Sequence, residues 1–305
     1  MNITLTTDVR NANAITHGGI FHADEVFGTI ILSKVMDNIV LARTFKVPED
    51  IADDVIVYDI GGGDFDHHQL GGNGTRADGI PYASCGLLWK EYGPQLCANT
   101  ANPERAFAMM DAKLISGIDA NDTGYISPKD CPPGMSVSAV ISGFNPRWDE
   151  KTSADEKFLM ALQMAETIFD NTFASICSTI AAEAAVEEAI EEAIETSPEE
   201  DVVVFSQFVP WQGTLLSSHN PKAEKMLYVV FPSLRGGWNW QGVPVSCLNR
   251  DLRKPCPEEW KGQPADELRR MTGIETVNFV HPAGFLGSCG TREDAIKMAK
   301  LAIAE

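Results

Sequence analysis

Two polar residues, His17 and Asp59, each stand immediately after a short apolar run, Ala12–Thr16 and Asp54–Tyr58. The second run is almost wholly apolar and ends in Gly61-Gly62-Gly63, the pattern of a parallel strand buried on both faces. Around the two runs come the other parts such a sheet needs. Residues 23–36 carry Val26, Phe27, Ile30, Ile31 and Met36 at helical spacing, and Ile39–Thr44 reads as another strand. Helical patterns follow near 84–92 and 103–118. Strands alternating with helices predict an α/β domain, a parallel sheet flanked by helices. Ligands of such sheets gather at the carboxyl ends of the strands, so His17 and Asp59 are expected to converge on one sheet edge.

The residues near those strand ends are chemically unusual. Four of the six histidines lie in two acidic motifs, His17-Gly-Gly-Ile-Phe-His22-Ala-Asp24-Glu25 and Asp66-His67-His68. Imidazoles gathered with carboxylates suit divalent ions such as Mn²⁺, Fe²⁺ or Zn²⁺. Several histidines with carboxylates able to bridge suggest two ions. A pair of ions that activates water for attack on phosphorus makes a metal-dependent phosphoesterase the leading expectation.

The chain then changes character. Residues 152–195 form a long helical pattern whose tail, AAEAAVEEAIEEAIE, has a solvated acidic face, and Pro198 follows its end. Strands are expected at Val202–Val209, Leu227–Phe231, Trp240–Cys247 and Val277–His281, with a short helix around Leu268–Met271. A Gly-rich turn from Gly284 to Gly290 precedes Thr291, a helix N-cap for the C-terminal helix. The expected layout is a catalytic domain at 1–150, a connecting helix at 151–198 and a smaller α+β domain at 199–305. Trp238 and Trp240, two apart on one strand, are expected to pack the core rather than stack on bases.

Charge and cysteine usage bound the function. The net charge of −19 disfavours tight non-specific binding of long duplexes. Residues 1–148 carry net −8, residues 149–201 net −13 and residues 202–305 net +2. The mildly basic last part is where a phosphate-bearing ligand is expected. Arg250, Arg253 and Lys254 form one candidate group there, and His281, Gly287 and Arg292 another, beside a helix N-terminus suited to anions. Seven cysteines (85, 97, 131, 177, 247, 256, 289) contain no C-x-x-C pair and none beside the His/Asp motifs, which fits a reducing compartment. MNITLTTDVR lacks the apolar core of a secretory signal, and no apolar run approaches a membrane span. A cytoplasmic location, no membrane partner and a homo-oligomer are the expectations.

The pattern H-x-x-x-x-H-x-D (17–24), an Asp after an apolar strand (59) and D-H-H (66–68) resembles the DHH phosphoesterase superfamily. Within it, T-H-G-G-I-F-H-A-D-E (16–25), V-Y-D-I-G-G-G (57–63), D-H-H-Q (66–69) and A-S-C-G-L-L-W-K-E-Y-G (83–93) resemble the melanocyte-proliferating-gene family. So do Y-V-V-F-P (228–232), W-x-W-Q-G-V-P (238–244), P-E-E-W-K-G (257–262) and H-P-A-G-F-L-G-S (281–288), and the likeness spans nearly the whole chain. The superfamily's first motif usually reads H-x-x-x-D-x-D. This chain has one residue more, with His22 where the first Asp is expected.

The resemblance implies a DHH-type N-terminal domain with a two-metal centre, most simply of Mn²⁺, with Mg²⁺, Fe²⁺ or Zn²⁺ as alternatives. His17, His22, Asp24 and His67 would be ligands and Asp59 the bridging carboxylate. Asp119, with Asp122 second, would supply a last ligand. His68 would meet the substrate or leaving group, with Asp59 and Asp66 also counted in the catalytic set. The implied substrate is RNA or a short oligonucleotide, degraded 3′ to 5′. The alternatives are a small-molecule phosphatase or pyrophosphatase, or a regulatory protein whose metal is structural. No H-E-x-x-H peptidase motif is present.

Overall fold

A computed structural model describes residues 2–125, 136–196, 201–249 and 251–305. The chain divides into two compact units, Met1–Ile180 and Ala181–Glu305.

The first unit is built on four parallel strands, β1 (Ile3–Thr6), β2 (Ala14–His17), β3 (Ile39–Thr44) and β4 (Ile56–Val57), in the order β1-β3-β2-β4. Successive residues of a strand point to opposite faces, and both faces are covered here. Ala14, Ile39 and Leu41 pack with α1 (Ala23–Val35), α2 (Ser84–Cys97) and the first half of α6 (Ala154–Thr196). Ile15 and Ala42 pack on the far side against Val47, Ile51, Val55 and Val57. α1 is buried along most of its length because it lies between the sheet and other helices. The expected strand over Ile39–Thr44 and the helix from Ala23 are both present.

Three local readings change. The polar opening residues include edge strand β1, for which two apolar side chains, Ile3 and Leu5, give enough cover over the core. Only Ile56 and Val57 of the expected third strand join the ladder. The pattern at 103–118 is one winding helix from Pro103 to Asp122, composed of α3 (Pro103–Met110), a π turn (Asp111–Ile115) and α4 (Ser116–Asp122). A short helix, α5 (Val137–Ser142), follows.

In the second unit the strands are β5 (Val202–Val204), β6 (Tyr228–Pro232), β7 (Trp238–Gly242), β8 (Val277–Val280) and β9 (Leu286–Cys289), ordered β5-β6-β7-β9-β8. β5 and β6 are parallel and the other pairs antiparallel. Tyr228, Val230, Trp240 and Cys289 face a core shared with α8 (Ala265–Thr272) and α9 (Arg292–Ala304). Val203, Val229 and Phe231 face a second cluster with α7 (Trp211–Ser217), a helix the sequence pattern did not suggest. The strand expected to run to Val209 stops at Val204, and the one expected to reach Cys247 ends at Gly242, before Pro244. Thr291 does cap α9, its hydroxyl accepting the Asp294 N–H. Trp240 is buried in the core and Trp238 packs against it.

The Gly-rich segment before Thr291 is a correction. Leu286–Cys289 is a strand, not a phosphate-cradling turn. Gly287 lacks a side chain because an added Cβ would lie 2.4 Å from the Trp240 indole. Among the described residues no helix is long and apolar enough to cross a membrane.

Candidate metal centre

The first unit brings its histidines and acids together at the carboxyl ends of β2 and β4. His17 closes β2. Asp59 follows β4 and is the only non-glycine among the described residues with positive φ, 58°. This left-handed conformation is one that aspartate tolerates better than most residues. It gives the carboxylate two separate audiences. Oδ2 lies 3.2 Å from His17 Nε2, while Oδ1 lies 3.6 Å from His67 Nδ1 and 3.5 Å from His68 Nδ1. The Ser84 hydroxyl also donates to Oδ1, at 3.3 Å.

The first turn of α1 supplies two fully buried acids, Asp24 and Glu25. Backbone N–H groups of Ser84 and Cys85, at the start of α2, donate to the two Asp24 oxygens at 3.0 and 2.6 Å. The next N–H, of Gly86, donates to Asp119 at 3.0 Å. One helix N-terminus thus orients two carboxylates, as its positive dipole end favours. Opposite, His67 Nε2 lies 3.1 Å from Asp122 Oδ2. The loop through Gly18 and Gly19 is held by paired hydrogen bonds between the Asn145 amide and the Phe21 backbone, and by Arg43 donating to the Gly19 carbonyl.

These donors fit divalent cations. Asp24, Glu25, Asp59 and Asp122 have no lysine or arginine ion-pair partner among the described residues, only histidines. Buried carboxylates without a counter-ion are strongly disfavoured. Four groupings have ligand atoms within 4.8 Å of one another: His17–His22–Glu25, Asp24–His67–Asp122, Asp59–Asp66–His67–His68 and Asp24–Cys85–Asp119. His17 Nδ1 donates to the Gly18 carbonyl at 3.1 Å. That leaves Nε2 facing the centre, the arrangement of a metal-binding imidazole anchored from behind.

Protons fill the same places in the metal-free chain. Burial alone would lower the His17 pKa, but its hydrogen bonds to Asp59 and Glu25 outweigh that and lift it to about 10. His67 is likewise raised against the effect of its burial, chiefly through Asp122. Burial, then the neighbouring charges of Asp59, Asp122 and Asp119, pushes Asp24 up. Metal binding is therefore expected to expel protons, so that apparent affinity rises with pH, by about tenfold per unit for each proton displaced. Calorimetric titration with Mn²⁺ in buffers of different ionisation enthalpy measures that release directly. Identical heats in both buffers would refute it.

The remaining candidates sit as follows. Asp66 accepts the N–H groups of Gly62 and His68 at 2.7 and 3.0 Å, and its Oδ1 lies 2.9 Å from His68 Nδ1. Burial would raise its pKa, but those N–H donors bring it below the usual carboxylate value. It positions the loop and the His68 ring. His68 itself is at the rim, 59% exposed. Asp119, the favoured last ligand, is instead clamped by Arg76 at 2.6 Å, whose guanidinium also grips Asp111 at 2.8 and 3.0 Å. Asp122 is the acid that faces His67.

In the second unit the candidates are placed as follows. Arg253 Nη1 donates to the carbonyls of Ala223 and Met226 at 2.8 and 2.9 Å, a backbone clamp in place of the expected substrate contact. Lys254 offers its carbonyl to the Tyr228 hydroxyl. His281 accepts the Ala283 N–H on Nδ1 and lines a cavity of about 500 Å³ with Gln241 and Phe285. Arg292 is exposed at the first turn of α9, and Arg250 lies outside the described residues.

Sequence patterning overlooked four participants. Glu25 stands inside the quoted motif but at a position where a helix-capping glutamate is ordinary. Ser84 and Arg76 come from segments without a metal-binding spacing. Cys85 is near Asp24 and Asp119 although no cysteine neighbours the motifs in sequence. Burial, then those two acids, drives its thiol pKa well up, so it is a neutral filler here.

The family model MYG1_exonuc, "Uncharacterised protein family (UPF0160)", matches residues 13–303. A MYG1 protein of Dictyostelium discoideum is 31% identical over 93% of this chain and 94% of its own. One from Saccharomyces cerevisiae is 30% identical over 95% of both. The human protein named MYG1 exonuclease is 29% identical over 95% of this chain and 85% of its own. RecJ of Thermus thermophilus, solved with Mg²⁺, aligns over 96% of this chain and 50% of its own at 15% identity, with a TM-score of 0.27. A likeness that slight transfers no residue role.

Proposed function

The chain belongs to the MYG1_exonuc family, and on that premise we propose that it is a metal-dependent phosphodiesterase that removes nucleotides from the 3′ end of RNA or short oligonucleotides. The observation that carries the hydrolytic reading is Asp59, whose two oxygens address two different sets of imidazoles from a left-handed backbone. That is the placement a carboxylate shared by two ions requires. Relatives named exonuclease support the nucleic-acid substrate.

When bound, a pair of divalent ions supplies charge stabilisation for the phosphoryl oxygens and a more acidic water. His17, Asp24, Asp59, His67 and Asp122 would hold the pair. Asp66, behind His68 Nδ1, turns the ring so that Nε2 faces outward, where it addresses the leaving oxygen. Arg76 and Gly86 hold Asp119, and the Ser84 and Cys85 N–H groups hold Asp24, so the site is oriented before substrate arrives.

Mn²⁺ as working ion and the cytoplasm as location belong to the same reading. Donors that mix imidazole with carboxylate support the first, and the six described cysteines, none in a disulfide, the second. The net charge of −8 over residues 1–148 favours one competing substrate class, small phosphorylated compounds.

The test uses metal-stripped protein with 5′-labelled RNA, DNA of the same sequence, pyrophosphate and nucleotides, each with Mn²⁺, Mg²⁺ or Zn²⁺ restored. A Mn²⁺-dependent ladder from the RNA is expected. Cleavage of pyrophosphate or nucleotides alone would replace the exonuclease reading with the small-substrate one. Metal uptake without hydrolysis of anything would leave a binding protein.

A further inference from the structure

Glu25 is completely buried in the first turn of α1. Its Oε1 lies 2.9 Å from His17 Nε2, the same nitrogen that Asp59 Oδ2 approaches at 3.2 Å. Both of its oxygens also stand at 2.9–3.0 Å from the backbone N–H of His22. That last contact is half of a capping box, in which a glutamate three residues into a helix reaches back to the N-cap N–H.

Capping does not account for the rest. The His22 N–H needs one oxygen, and a capping carboxylate is ordinarily left in water. Here the second contact is to a histidine whose other nitrogen is already anchored on the Gly18 carbonyl. Removing a carboxylate from water needs a positive partner. Among the described residues no lysine or arginine is paired with Glu25. The ligand atoms of Glu25, His17 and His22 lie within 4.8 Å of one another. A carboxylate fixed by a backbone N–H while presenting its other lone pairs to an imidazole nitrogen is built as an oriented ligand.

We infer that Glu25 is a metal ligand, completing with His17, His22 and Asp59 an imidazole-rich pocket for one divalent ion. The inference rests on the two-ion reading above and deepens it. The second pocket, Asp24, Asp59, His67 and Asp122, has three carboxylates and one imidazole. The two pockets therefore differ in kind. The first selects Mn²⁺, Fe²⁺ or Zn²⁺ over Mg²⁺, while the second accepts the harder ions as well.

The test counts metal on the whole protein. Purified wild type, Glu25→Gln and Glu25→Ala are stripped, titrated with Mn²⁺ against a competing chelator, and analysed for bound metal after gel filtration. Unfolding of the metal-free proteins is followed by circular dichroism. Glutamine keeps the capping acceptor, since a capping box takes Glu or Gln, but it is a far poorer ligand. Two equivalents are expected on wild type. On Glu25→Gln one equivalent should weaken by on the order of 10–100-fold or more, with the far-ultraviolet spectrum of the folded metal-free protein unchanged. Glu25→Ala should lose the same equivalent and also unfold more easily. In Mg²⁺ alone, wild type should hold one tight equivalent.

Two Mn²⁺ bound by Glu25→Gln with wild-type affinity would reduce Glu25 to a cap and overturn the inference. Wild type holding fewer than two ions would overturn the two-ion reading itself, a result visible without any variant. Should the Gln variant fail to fold, Glu25→Asp, which keeps the charge but retracts it by one methylene, must show the same selective loss.

Discussion

Asp59→Asn should lower turnover on the order of 10³-fold or more, about 4 kcal/mol in barrier at 1.36 kcal/mol per decade. Asparagine is the conservative probe because it shares aspartate's tolerance of the left-handed conformation held there. The loop from Asp59 to Phe65 is therefore expected to keep its shape, including the Asp59 N–H bond to the Phe65 carbonyl. What changes is charge. An amide cannot serve two cations with two anionic oxygens, so the contacts to His17 on one side and His67 on the other no longer belong to one ligand. The fall should be in kcat, with metal content reduced and far-ultraviolet circular dichroism unchanged. Full activity in this variant would remove Asp59 from the centre, and with it the shared-carboxylate role argued from its two oxygens.

Gly86→Ala should destabilise the first unit by about 3–5 kcal/mol, the range for breaking a buried ion pair. An added Cβ would sit 1.8 Å from Asp119 Oδ2 and 2.8 Å from Arg76 Nη2. Nothing in that corner is flexible. Asp119 is fully buried, and Arg76 is held by Asp111 as well. The methyl must therefore drive Asp119 off the guanidinium and break the Gly86 N–H bond. Urea denaturation measures the loss, and Asp119→Ala provides the control. With the aspartate oxygens removed only the end of the Arg76 side chain is left to strike, and it is free to shift, so the same glycine change should then cost much less. An equal loss in both backgrounds would put the fault in the helix backbone rather than in the contact.

What could be read in advance follows from how far each signal extends along the chain. His17 and Asp59 were legible because a strand end is a local event, marked by a few apolar residues and then a polar one. The D-H-H triplet was legible because its three polar residues are consecutive, although His67 meets Asp24 and Asp122 from far along the chain. Arg76 was not, since it arrives from a glycine-rich stretch with no periodicity and meets Asp111 and Asp119 dozens of residues later. Two of the substrate candidates drawn from the second unit have structural uses for a related reason. Arg253 and Gly287 look available in a sequence, but one serves two backbone carbonyls and the other makes room for an indole. A surface charge and a glycine have too many structural uses to announce a ligand. Glu25 was overlooked because a helix start offers it an ordinary occupation, and only its burial separates the two uses.

Asp119 and Asp122 could not be ranked by spacing, and the helix that carries them shows why. A π turn is an α-helix holding one residue more than its pitch admits. Asp111–Ile115 is such a turn. Deleting a single residue within it would restore regular winding and leave the turns after it in phase, because the extra residue is absorbed where it sits. A deletion in the regular turns of α4 would instead rotate everything after it by about 100°, and Asp122 would swing away from His67 with every side chain of the centre still encoded. The segment's phase, like a combination dial left one notch over, is stored in a residue count. Length within 116–121 is accordingly a stricter inheritance than the identity of the residues that make it up, whereas 111–115 has one residue to spare.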